Sequence, residues 1–244
     1  MSEQTEEVFQ ALADVAALGE PEQLWNHFLN ITKIPRCSKN EERIRESIVK
    51  FAGALMLQCE VDAAGNVLVK KPAFPGKENS PTVILQGHID MVCEKNDEVQ
   101  HDFSSDPLKL RVKGDYLYAT DTTLGADNGI GAAAMLAVME DTSISHGPLE
   151  FLFTVDEETG LTGAFQLKEE FLEGRRMLNL DTEEEGAIYV GCAGGADSKI
   201  FLPLETEPTP EGTGIKINVT GLLGGHSGVD IHLGRANSNV LLAR

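Results

Sequence analysis

The sequence predicts an α/β fold, with a sheet covered by helices on both faces. Three observations carry that prediction. Apolar residues recur at helical spacing in the N-terminal segment, and short apolar runs then alternate with helical segments. With 244 residues, 41% of them hydrophobic, the chain can build one large core or two smaller ones.

The elements follow in order. Leu24, Phe28 and Ile31 mark a helix after Pro21. Ser38-Lys39-Asn40-Glu41 fits a capping box, in which Ser and Glu satisfy each other's free backbone N–H groups. Behind it, Ile44, Ile48, Phe51 and Leu55 form one apolar stripe. Val61 and Asn66-Val67-Leu68-Val69 read as strands around a Gly65 turn, and residues 71–81 as a Pro/Gly/Lys loop. Val83-Ile84-Leu85 suits a buried strand. Tyr116 to Tyr118 is another, and Asn128 to Glu140 reads as a buried helix. Strands follow at Phe151 to Val155, Met177 to Leu180 and Ala187 to Val190. The texture shifts near Gly194-Gly195, where a domain boundary is expected. Beyond it, Ile200 to Leu202 and Ile215 to Val219 read as strands.

Composition excludes some partners. Lys and Arg total 20 against 39 Asp and Glu, a formal charge of -19, which repels phosphate backbones and anionic membranes. No apolar run is long enough to span a bilayer. The start, MSEQTEEVFQ, lacks the basic and apolar regions of a secretory signal. Cys37, Cys59, Cys93 and Cys192 form no Cys-x-x-Cys pair. Cytoplasmic residence with reduced thiols is therefore expected.

The chemistry collects beyond strand ends, where α/β folds place their ligands. His88 and Asp90 follow the strand ending at Leu85, Glu157 and Glu158 the one ending at Val155, and Asp181 the one ending at Leu180. Asp127 heads the helix beginning near Asn128. On an extended segment His88 and Asp90 share a face, so Asp90 can accept from the ring nitrogen that His88 does not offer a metal. Asp127 can cap its helix or bridge two cations. The adjacent Glu157 and Glu158 point apart, so one can bind metal while the other acts as general base. Gly129-Ile130-Gly131-Ala132-Ala133-Ala134 matches a dinucleotide-binding pattern, but Asp127 stands where a pyrophosphate would approach. Close packing around a crowded metal site explains those glycines better.

Four segments together carry a family resemblance: residues 87–96, 122–136, 154–164 and 178–186. They resemble the zinc-dependent aminoacyl-histidine dipeptidases, also called Xaa-His or cytosol non-specific dipeptidases. These belong to the co-catalytic zinc aminoacylases and carboxypeptidases. The run Asp90-Met91-Val92-Cys93-Glu94-Lys95-Asn96 points to the dipeptidase branch. The resemblance implies a mixed sheet flanked by helices in a catalytic domain over residues 1–194. The start of an inserted α+β lid follows over 195–244.

The resemblance also implies roles. His88, Asp127 and Asp181 match the ligands of one zinc, Asp127 bridging to a second that Glu158 also holds. Glu157 matches the general base toward the bridging water, and Asp90 the residue orienting His88. Gly224-Gly225-His226-Ser227-Gly228 resembles a lid loop whose histidine polarises the scissile carbonyl. The implied activity is hydrolysis of dipeptides with two Zn²⁺, in a family whose members often form homodimers. Cobalt and manganese accept the same N/O ligands. Another zinc amidohydrolase (tripeptidase, carboxypeptidase or N-acyl amino acid deacylase) fits the same residues.

In the family a further histidine completes the second zinc site from a segment beyond residue 244. The chain is thus expected to be an N-terminal fragment, inactive alone. His101, His146 and His232 are the substitute ligands at hand.

Overall fold

The apolar runs pair into a five-stranded mixed sheet in the computed structural model, which describes residues 18–182, 184–192, 194, 198–208, 211–225 and 230–244. Strands β1 (Gln58–Val61) and β2 (Val67–Lys71) form an antiparallel hairpin. Asp62 Oδ1 closes its turn by accepting the N–H groups of Ala64, Gly65 and Asn66, each at 2.9 Å. Gly65 sits there at φ +101°, a conformation that costs other residues more. β3 (Val83–His88), β6 (Leu149–Thr154) and β7 (Arg176–Asn179) complete the sheet in the order β1-β2-β6-β3-β7. β2 runs antiparallel to β6, whereas β6, β3 and β7 are mutually parallel neighbours. β4 (Leu110–Lys113) and β5 (Tyr116–Ala119) pair in a separate ribbon.

Helices α2 (Glu42–Ala54) and α3 (Ala126–Glu140) cover one sheet face, and α1 (Glu22–Ile31) packs against α3. Ile44, Ile48, Ala133 and Met135 from the helices meet Val67, Val69, Phe151 and Phe153 from the sheet. Burying a side chain of this size contributes about 1.5–3 kcal/mol. All six residues of β6 are buried, as its central place in the sheet requires. On the opposite face, Gly174 lies close to Ile84, and Leu152 lines a cavity with Ala164 of α4 (Thr162–Gln166) and with Leu167. There Asn66 Nδ2 donates to the Gly163 carbonyl, and buried Glu150 accepts the N–H groups of Glu173 and Gly174.

Residues 192–244 form a second unit. Its described regular elements are a 3-10 turn at Ile231–Leu233 and helix α5 (Ser238–Ala243). Asn237 caps α5 by accepting the Val240 N–H at 3.2 Å.

The structure corrects four expectations. The capping box does not form, because both of its side chains have distant partners. Ser38 Oγ donates to Asp90 at 2.7 Å, and Glu41 accepts from Asp156 N–H at 3.0 Å. The strand expected to end at Leu85 continues through His88, held by its parallel partner β6. The expected strands at 187–190, 200–202 and 215–219 are absent, since no ladder partner lies beside them among the described residues. Cys37 and Cys93 are disulfide-bonded, with Cα atoms 5.6 Å apart, where free thiols were expected. Isolated bridge pairing of Cys37 with Met91 brings their segments together. Cys59 and Cys192 are free. No described helix is long and apolar enough to cross a membrane.

Candidate metal centre

His88 ends the partly buried strand β3, and its side chain is 1% exposed. Asp90 follows on the same face and is 0% exposed. Its Oδ1 lies 3.2 Å from His88 Nδ1. That contact leaves Nε2 facing Asp127 Oδ1 at 3.0 Å and Asp181 Oδ1 at 3.6 Å. Asp127 reaches this position because the head of α3 is not helical. Gly125 takes a left-handed turn, and Asp127 and Asn128 leave helical dihedrals. Its carboxylate therefore points toward His88 rather than capping the helix.

The β6–α4 turn carries Glu157 and Glu158. Asp156 opens it at φ +51°, and its carboxylate accepts from the hydroxyls of Thr159 and Thr162. Asp90 accepts the N–H groups of Glu157 at 3.1 Å and Glu158 at 3.3 Å. One buried carboxylate thus orients the histidine and anchors the acidic turn.

Two metal-capable groups result: His88 with Asp127 and Asp181, and His88 with Glu157 and Glu158. In each, the ligand atoms lie within 4.8 Å of one another. A nitrogen ligand among carboxylates matches the donor chemistry zinc accepts. A third group, Glu41 with Asp90 and Asp156, is buried behind the turn. These three already accept backbone and hydroxyl hydrogen bonds, so structure alone accounts for them.

Crowding shifts the charges. Burial pulls the His88 pKa down, but hydrogen bonds to Asp127 and Asp90 and the charge of Asp181 outweigh it and raise it to about 10. Burial pushes the Asp90 carboxyl up, yet donors from His88, Ser38 and Glu157 hold it at about 2. Burial raises the Asp181 carboxyl to about 7; the charge of His88 pulls it down, and Asp127 and Glu157 push it up. Glu157 and Glu158 are both raised, chiefly by burial. A bound cation relieves this repulsion, so the arrangement favours one.

Beside Glu157 and Asp181 lies an open cavity of about 210 Å³, walled by Leu152, Leu161, Leu167 and Met177.

His226, expected to act on the substrate carbonyl, lies outside the described residues, as do Ser227 and Gly228. His101 packs edge-on to Phe103, His146 pairs with the Gly147 carbonyl, and His232 lies in the second unit. None of the three belongs to a metal-capable group among the described residues. Sequence reading missed Ser38, Glu41 and Arg36. The buried guanidinium of Arg36 donates to the carbonyls of Ile89, Asp90 and Gly125.

The glycines of the dinucleotide-like run have local reasons. A Cβ on Gly129 would meet Arg36 Nη2 at 2.7 Å, and one on Gly131 would meet the Leu180 carbonyl at 2.8 Å. Both are kept small by packing, and Asp127 occupies the mouth of the run.

Comparison with known proteins gives a consistent picture. The profile of peptidase family M20/M25/M40 matches residues 84–233. The cytosol non-specific dipeptidase of Escherichia coli (strain K12) is 47% identical over 225 residues, 92% of this chain and 46% of that protein. The crystal structure of the aminoacylhistidine dipeptidase from Vibrio alginolyticus superposes with a TM-score of 0.71 at 43% identity. It covers 92% of this chain and 46% of that one. A tripeptidase from Staphylococcus aureus superposes with a TM-score of 0.57 at 30% identity, over 67% of this chain and 44% of that one. The chain spans about half the length of these relatives.

Proposed function

Since the chain belongs to peptidase family M20/M25/M40, we propose that it carries the metal-binding half of a dipeptidase active site. The observation that carries this reading is the convergence of one histidine and four carboxylates from the strand ends and the head of α3. Family membership and identity to a dipeptidase support the substrate class.

In this reading, His88, Asp127 and Asp181 would hold one Zn²⁺, and Asp127 and Glu158 would contribute to holding a second. When bound, zinc supplies Lewis acidity and lowers the pKa of a water at the centre. Asp90 fixes the His88 tautomer so that Nε2 is the ligating nitrogen. Glu157, raised by burial, takes a proton from the attacking water and returns it to the leaving amine. His226 donates to the scissile carbonyl oxygen. In the same reading, residues 1–194 belong to the catalytic domain and 195–244 to a lid.

Metal analysis and hydrolysis assays test this. Zinc is expected to bind this chain and to be lost in His88→Ala. In an active form of the enzyme, Xaa-His dipeptides should turn over faster than N-acetyl amino acids. The reverse preference would assign the site to a deacylase, and absence of metal would refute the centre itself.

A further inference from the structure

We infer that Arg36 is a positioning residue for the metal centre, clamping the two chain segments that present His88 and Asp127. The inference rests on the metal-site reading above and adds a residue that reading does not use.

Arg36 is 1% exposed, the largest fully buried side chain among the described residues. Burying a guanidinium is costly unless its donors are used. Nη1 donates to the Ile89 carbonyl at 3.1 Å and the Asp90 carbonyl at 2.9 Å, and Nη2 donates to the Gly125 carbonyl. Ile89 is next to His88, and Gly125 is two residues before Asp127. One rigid, planar fork therefore spans the exit of β3 and the head of α3. The spacing it holds is the spacing between His88 Nε2 and Asp127 Oδ1, 3.0 Å.

The surroundings are shaped around this fork. A Cβ on Gly125 would lie 2.5 Å from Arg36 Nη2, and one on Gly129 would lie 2.7 Å from it. Both glycines leave room for the same nitrogen. The Arg36 backbone is tied to the same place, since its carbonyl accepts the Met91 N–H at 3.1 Å. Burial lowers the guanidinium pKa to about 10, with Asp90, Asp127 and Glu158 opposing the fall, so it remains charged at neutral pH. Lysine would keep the charge and lose the fork.

Cobalt titration of this chain, followed by visible absorption, tests the inference. Arg36→Ala should weaken Co²⁺ binding about ten- to a hundredfold, the range for residues that support metal ligands. It should also alter the ligand-field bands, and added guanidinium ion should restore both. Arg36→Lys should be impaired as well. Ile48→Val, which loosens the core away from the centre, should leave Co²⁺ affinity and bands unchanged. A folded Arg36→Ala chain with wild-type affinity and bands overturns the inference. If that variant does not fold, wild-type behaviour in Arg36→Lys overturns it. His88→Ala separates the two failures: a wild-type chain that binds no Co²⁺, or binds it independently of His88, defeats the metal centre and this inference together.

Discussion

His88 and Asp90, two residues apart on one extended segment, meet through Nδ1 and Oδ1 at 3.2 Å. The contact commits one ring nitrogen and turns the other toward Asp127 and Asp181. Asp90→Asn should weaken zinc binding about ten- to a hundredfold, because the tautomer is no longer imposed. It should also cost about 1–3 kcal/mol of stability, since an amide cannot accept every N–H that Asp90 now serves. Metal titration and urea unfolding measure the two effects separately.

Glu157 and Glu158 are neighbours with different expected losses. In an active form of the enzyme, Glu157→Gln should lower kcat about 10²- to 10⁴-fold while zinc content is kept. Glu158→Gln should lower zinc content at the second site. Normal turnover in the first variant would remove Glu157 from the proton-transfer role.

Metal affinity should rise with pH. In the metal-free chain His88 stays protonated toward about 10, and a metal must displace that proton. The raised value adds stability to the metal-free fold that is complete below 6.5 and is lost as pH rises through 10. Asp90, depressed to about 2, adds stability present above 3.8 and lost as pH falls through 2. Melting curves with chelator should thus show a decline between pH 6.5 and 10 that zinc removes. Identical alkaline profiles with and without zinc would contradict a ligating His88.

Gly131→Ala should damage the centre through packing. Its Cβ would collide first with Asn128 Oδ1, next to Asp127, and press on the Leu180 carbonyl at 2.8 Å, immediately before Asp181. Overpacking of this kind costs about 1–3 kcal/mol. Urea unfolding should register that loss, and zinc titration should show weaker binding at the same time. An unchanged zinc affinity would show that Asp181 is insulated from the helix.

What could be read from the sequence was local or repeated. The stripe of Ile44 and Ile48 declared a buried helix face, and Phe151 to Val155 declared a strand, because periodicity and apolar runs reflect burial directly. Metal-capable side chains were visible because His88, Asp127, Glu157, Glu158 and Asp181 recur at element ends. What escaped reading depended on distant partners. Ser38 and Glu41 have the spacing of a capping box, but Asp90 and Asp156 offer them better-placed groups. Arg36 carries no local signal of burial, and only the paired small residues Gly125 and Gly129 hint at the space it fills. Residues 200–202 and 215–219 have strand composition, but a strand needs a neighbour and composition does not supply one.

The bond between Cys37 and Cys93 closes a covalent ring that contains α2, the β1–β2 hairpin and the whole of β3. His88 and Asp90 lie inside that ring, and so does the exposed stretch at residues 75–79. A single protease cut in that stretch would leave both fragments tethered. The strand that presents the histidine would then stay attached to the body of the protein, and electrophoresis would reveal the cut only after reduction.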